Sequence, residues 1–165
     1  MPNGNWLERS FAFIRRHWLT IAIGAIFLLW WGVPTARKAY YDARVRELCA
    51  QDGGIKVYEQ VKLPADRFDQ WGGVRIPFAS DAKPSDEFVM HWDKEYYKKT
   101  KSISGLELWR DRFSIIRRMD SAVLGEAISY ARRGGDPIQP WESSWYTCSE
   151  ELGEQALIRR VFIRE

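Results

Sequence analysis

The sequence predicts an α+β protein: an N-terminal transmembrane helix, then a helix packed on a mostly antiparallel β-sheet. Three observations predict it. Trp18–Ala36 is an apolar run without charge. The stretch after it carries apolar residues at helical spacing. Several later segments alternate apolar and polar residues, as half-buried strands do.

The 20 residues between Arg16 and Arg37 contain no Lys, Arg, Asp or Glu. As a helix they would reach roughly 30 Å, about the thickness of a bilayer's hydrocarbon core. Ile21, Ile23, Ile26, Phe27, Leu28 and Leu29 fall on every side, without the polar stripe of a surface helix. Trp18 at one end and Trp30–Trp31 at the other are placed as indole belts at the two membrane interfaces. A cleaved signal peptide would have a shorter apolar region and an A-x-A-like site. Here Ala36 is preceded two residues earlier by Pro34, and Ala39 by Arg37. An uncleaved anchor is therefore expected, with residues 1–17 as a cytoplasmic tail, 18–36 as the span and 37–165 as one extracytoplasmic domain. Flanking charges nearly balance: Arg9, Arg15 and Arg16 against Arg37, Lys38, Arg44 and Arg46. The Arg15–Arg16 doublet abutting the span and the shortness of the tail favour keeping the N-terminus inside. Trp6, Phe11 and Phe13 suggest that part of the tail lies in the interface as an amphipathic turn.

The residues after the span suffice for one domain with its own core. The first 33 residues hold three Arg and one Glu, hence +2 of the chain's +3, and leave the domain almost neutral. Nucleic acid, which wants a concentrated basic field, is not an expected partner. The lipid bilayer is, and an envelope membrane protein is a further candidate. Both cysteines, Cys49 and Cys148, lie beyond the span. An even count in an exported domain suggests one disulfide.

Pro34 is read as the entry or kink of a second helix reaching about Gln51, with Tyr41, Val45, Leu48 and Cys49 on its apolar face. Asp42 and Arg46 are spaced for an exposed i, i+4 pair. Asp52-Gly53-Gly54 ends the helix. Ile55–Leu63 alternates as one strand, with Glu59 as a carboxylate on the apolar side. Glu59 is expected to pair with an arginine; a site carboxylate is the functional alternative. Pro64–Gly73 reads as a helical turn and loop, Arg75–Pro84 as irregular, and Glu87–Trp92 as a strand. His91 and Asp93 suggest a general-base pair. They are expected to point to opposite faces of the strand, and no nucleophile is marked beside them. Lys98-Lys99-Thr100-Lys101 reads as a solvated basic loop.

Leu106–Met119 and Ala122–Arg132 read as two antiparallel strands joined at Asp120–Ser121. Phe113, Ile115 and Met119 alternate in the first, and Leu124, Ile128 and Tyr130 in the second. Pro140–Glu151 reads as a loop, and Ala156–Glu165 as a last strand carrying Leu157, Val161 and Ile163. In that loop Trp141, Trp145 and Tyr146 are candidate anchors for a partner. The arginine doublets 117–118, 132–133 and 159–160 either form a basic stripe or, as preferred here, solubilise the sheet and pair with acids.

No phosphate-binding loop, nucleophile elbow, H-E-x-x-H or C-x-x-C occurs. No catalytic residue, cofactor or metal ligand is assigned on that ground. Zinc is not expected, because only His91 remains to join the two cysteines.

The segment Cys49–Pro64, CAQDGGIKVYEQVKLP, resembles the signature of a family of small, uncharacterised bacterial membrane-anchored proteins. The resemblance spans about a tenth of the chain and brings no activity, so it transfers no catalytic residue. The architecture is also similar to a type IV pilin, but the Gly-Phe processing site followed by a glutamate is missing. Three expectations follow. The first is a membrane-tethered, non-enzymatic accessory or interaction protein of the bacterial envelope, its domain in the periplasm. The second is an envelope hydrolase using Glu59 or His91. The third is a pilin-like or secretion-system structural subunit.

Overall fold

The computed structural model describes residues 5–101, 105–136, 143–148 and 152–165, with side chains from residue 15 onward. Trp6, Phe11, Phe13 and Trp141 fall outside the described side chains. Helix α1, Asn5–Asp52, departs from helical backbone only at His17 (φ −114°, ψ 15°). That residue lies between the arginine doublet and the apolar run. Two expectations change here. The tail is helical from Asn5, and Pro34 neither starts nor breaks a helix. Proline removes the one donor that would reach the Trp30 carbonyl. The hydroxyl of Thr35 bonds the next carbonyl, that of Trp31, at 2.7 Å, and the helix runs on.

The first half of α1 is bare. Ile23, Leu28 and Trp30 are all exposed, and none of the most apolar 18-residue window is buried. This is one helix long and apolar enough to cross a membrane. The second half is docked. Positions 38, 42, 45, 49 and 52 recur at alternating spacings of four and three, so they form one stripe, and it faces the sheet.

The main sheet is antiparallel throughout. It contains β1 (Gly54–Val57), β3 (Phe88–Lys98), β4 (Glu107–Arg117), β5 (Ala122–Arg133) and β6 (Trp145–Thr147). The order is β1-β5-β4-β3, and β6 shares the β1 edge of β5. A second, two-stranded parallel sheet pairs β2 (Val61–Leu63) with β7 (Phe162–Arg164), which follows helix α2 (Glu154–Val161). The class is α+β, as the sequence predicts.

Several boundaries differ from expectation. Ile55–Leu63 is two strands, not one. The amides of Tyr58 and Glu59 both reach the Leu124 carbonyl, at 2.8 and 3.0 Å, and the chain then leaves the main sheet for β7. Strand β3 continues past Trp92 to Lys98, because cross-strand pairing carries its charged segment. Residues 154–161 are helical: Leu157, Ile158 and Val161 bury one helical face. Part of the expected loop at 140–151 is β6. Met119 is 86% exposed beyond the end of β4, while Asp120 and Ser121 turn the hairpin as predicted, with Ser121 at φ 58°.

Each face of the sheet has its own core. Ala127 and Ile128 are neighbours on β5 and therefore point to opposite faces. Ala127 joins Met90, Ile115, Leu157, Ile158 and Val161 under α2. Ile128 joins Val45, Leu108 and Tyr130 under α1. Gly125 is what allows α2 so close. A Cβ there would lie 2.9 Å from Val161 and 3.0 Å from the Lys56 carbonyl oxygen.

Candidate functional site

The docked half of α1 is fixed covalently and electrostatically. Cys49 and Cys148 form the expected disulfide, with Cα atoms 5.7 Å apart. It joins α1 to the end of β6 within the smaller core, beside Leu48 and Tyr146. Lys38 bonds Asp136 at 2.7 Å, and the amide and hydroxyl of Ser144 donate to the same carboxylate, each at 2.8 Å. Burial pushes the Asp136 carboxyl up; Lys38 and Ser144 together outweigh it and hold it below the ordinary carboxylate range. Asp42 does not pair with Arg46. It accepts from Arg132, whose side chain is 1% exposed and also donates to the Gly134 carbonyl. Arg46 lies over the Tyr146 ring instead, 5.9 Å from its centroid. At the far end Asp52 bonds Arg110 at 2.9 Å and accepts from the Tyr130 hydroxyl at 3.2 Å. Burial pushes that hydroxyl's pKa above its ordinary value.

The expected contact residues separate. Trp145 is 68% exposed on β6, whereas Tyr146 packs into the core beside α1. Trp141 lies outside the described residues. Trp18, Trp30 and Trp31, the residues expected to form the interfacial belts, are all exposed on α1.

Glu59 is held by a bidentate ion pair with Arg117, at 2.8 and 2.6 Å, as the pairing expectation has it. It lies at the bend between β1 and β2, not on a strand's apolar side. His91 and Asp93 are two residues apart in extended chain, so they share a face; the expectation of opposite faces is corrected. In the ladder His91 stands opposite Ser114, and Ser114 opposite Glu126. This resembles a catalytic row but is not wired as one. Glu126 accepts from Arg112, from the Tyr58 hydroxyl at 3.0 Å and from Ser114 at 3.5 Å. Burial raises its pKa, and these donors outweigh that and keep it low, so it is a fixed anion. Among the described residues no hydrogen bond joins His91 to Ser114. Glu59 lines neither of the shallow hollows, of about 360 and 420 Å³, that His91 lines.

The arginine doublets divide in the same way. Arg117 is paired, Arg118 donates to the Lys83 carbonyl, Arg132 is buried, and 159–160 lie on α2 instead of a strand.

The opposite face carries an arrangement that the sequence reading missed. Cross-strand pairs place Trp92, Lys94 and Tyr96 of β3 beside Phe113, Asp111 and Trp109 of β4. Both indole N–H groups donate to Asp111, at 2.9 Å from Trp92 and 2.6 Å from Trp109. The Lys94 ammonium lies 3.6 Å from Asp111 and 4.5 Å from the centre of the Trp109 ring. Trp92 and Phe113 stack with planes 6° apart. Trp92 remains 54% exposed and Tyr96 39%. The signal was a period of two, W-x-K-x-Y in one strand and W-x-D-x-F in the next.

Set against known proteins, the chain matches no family model, no curated protein and no solved structure.

Proposed function

We propose that the protein is a membrane-tethered, non-enzymatic accessory or interaction protein of a bacterial envelope. It crosses the inner membrane once and holds its domain in the periplasm. The observation that carries this reading is the exposed aromatic ladder of β3 and β4. Its rings are fixed by Asp111 and Lys94, so a partner meets a preorganised surface at little entropic cost. Two carboxylates that hydrolytic chemistry could use, Glu59 and Glu126, are committed to ion pairs. The disulfide fits an oxidising compartment. Trp145 offers a second exposed ring on the β6 edge.

The test is site-specific photo-crosslinking in intact cells. A probe at Trp92 or Trp145 should give a discrete adduct that a probe at Lys62 does not. Trp92→Ala with Tyr96→Ala should abolish it while the disulfide and the melting temperature persist. Absence of any adduct from both sites would sink the contact reading. A hydrolytic activity removed by Glu59→Gln or His91→Ala would replace it with the enzyme alternative. Alkaline phosphatase fused after Glu165 should be active; a fluorescent cytoplasmic reporter there would reverse the topology.

One observation favours a second reading, the pilin-like subunit: α1 runs unbroken from Trp18 to Asp52 with its apolar half bare. That reading requires filaments sedimenting from sheared cells.

A further inference from the structure

At the end of the docked helix nearest the apolar run, a cleft of about 330 Å³ opens between α1, the end of β3 and the start of β4 near Gly105 and Leu106. Val33 and Pro34 line it on one side, and Leu106 and Gly135 on the other. Arg37, Lys98 and Lys99 bring three cations to it. Its one acid, Asp136, is already neutralised by Lys38. Among the described residues no carboxylate lies within ion-pair distance of Arg37, Lys98 or Lys99. Lys98 instead donates to the Tyr41 hydroxyl at 2.9 Å, and Lys99 lies 4.8 Å from the centre of the Tyr96 ring. Both partners are neutral and leave the charges uncancelled; Tyr96 does not line the cleft, so Lys99 swings from that ring to meet a ligand there.

Depth decides what such a cleft meets. Trp30 and Trp31 mark the interfacial belt, and Arg37 follows Trp31 by six residues, or about 9 Å along the helix. The cleft therefore stands at the level of the lipid phosphates, with the apolar side chains of Val33 and Leu106 available to the glycerol and the first acyl carbons.

We propose that this cleft binds the phosphate of an anionic phospholipid headgroup, with Arg37 and Lys99 as the principal ligands and Lys98 in support. The assignment rests on the membrane placement proposed above. A lipid held there would fix the rotation of α1 about its axis and the height of the aromatic ladder above the bilayer. Juxtamembrane cations of this kind favour anionic over zwitterionic lipid.

The test uses the full chain in two stages. Membrane sedimentation comes first: a protein that stays in the soluble fraction overturns the tether itself. For protein purified from membranes in detergent, native mass spectrometry then follows binding of phosphatidylglycerol against an equal amount of phosphatidylcholine. One phosphatidylglycerol should be retained with at least tenfold preference. Arg37→Gln with Lys99→Gln should abolish the preference, and Lys99→Glu alone, at an exposed position, should abolish it without endangering the fold. Lys62→Gln with Arg75→Gln removes the same charge from exposed positions outside the cleft and should change nothing. Equal retention of both lipids, or a preference that survives Lys99→Glu, overturns the cleft assignment while leaving the tether intact. Displacement of the lipid by millimolar glycerol 3-phosphate or inorganic phosphate also overturns it, in favour of a soluble phosphate ligand.

Discussion

Between Trp18 and Val33, α1 presents Ile, Leu, Phe and Trp to its surroundings on all sides; between Lys38 and Asp52 the same helix buries a narrow stripe and leaves the rest wet. The backbone does not distinguish the two halves, since helical geometry runs through Pro34. The difference lies in where the side chains can lose water. Among the described residues no other part of the chain covers the bare half, and a hydrocarbon environment would bury its surface at roughly 25 cal/mol per Å². The docked half gains less from area and more from fixed chemistry: one disulfide, and charged residues at both ends of its stripe. Helix formation is thus common to both, while the pattern around the cylinder selects the solvent.

The largest expected effect comes from charging the bare half. Ile23→Arg with Leu28→Arg adds two guanidinium groups within the apolar run, each costing about 2.5–3.5 kcal/mol if that run inserts as proposed. On the periplasmic placement proposed above, the protein should leave the membrane pellet, with Cys49 and Cys148 reduced because export fails. A variant that still sediments with membranes would break the contrast between the halves.

Cutting the docked half has the next largest effect. The disulfide encloses a loop with a sequence separation of 99 residues, and closing a loop of that size is worth about 4–5 kcal/mol in the chain-entropy model. Cys49→Ala should lower the domain's melting temperature by roughly 10–20 °C. Membrane sedimentation should be unchanged, because Cys49 and Cys148 lie outside the apolar run. An unaltered melting temperature would show that the charged pairs alone hold the helix.

The smallest effect is a pH response at the boundary between the halves. Asp136 is ionised more readily folded than unfolded. Its bond to Lys38 therefore contributes fully above the unfolded carboxyl's pKa and fades as pH falls through the folded one, below about pH 4. Exchange of the Ser144 amide, which donates to that carboxylate, should accelerate there beyond the intrinsic rate. Asp136→Asn should remove the pH dependence. A flat profile in the parent protein would show that the contact does not hold this corner.

The features legible in the sequence share one property: each is written in contiguous residues. The apolar run, the stripe through Val45 and Cys49, the hairpin at Asp120–Ser121 and the two cysteines needed no partner to be seen. The features that escaped depend on what lies across a gap. Ile55–Leu63 alternates like one strand, but its bend is set by the Leu124 carbonyl on β5 and by a second sheet made with β7. Leu157, Val161 and Ile163 fit a strand by parity; Ile158, buried beside Leu157, is what the helix explains and alternation does not. The expected contact residues Trp141, Trp145 and Tyr146 lie close together in sequence. The wired rings lie instead on two strands, joined by an aspartate 19 residues from the tryptophan it holds.

Pro34 has a mechanical consequence. With no hinge between the apolar half and the docked half, α1 would act, in the membrane placement proposed above, as a lever whose fulcrum is the bilayer. A membrane that thins or thickens changes the tilt of a spanning helix. In that placement the rotation would pass into the domain: over the roughly 22 Å of helix from Arg37 to Asp52, a tilt of about 10° would sweep the far end by about 4 Å. Such a sweep exceeds the tolerance of a hydrogen bond. Bilayer thickness would then be a variable that the proposed partner of β3 and β4 would feel as a change of docking angle.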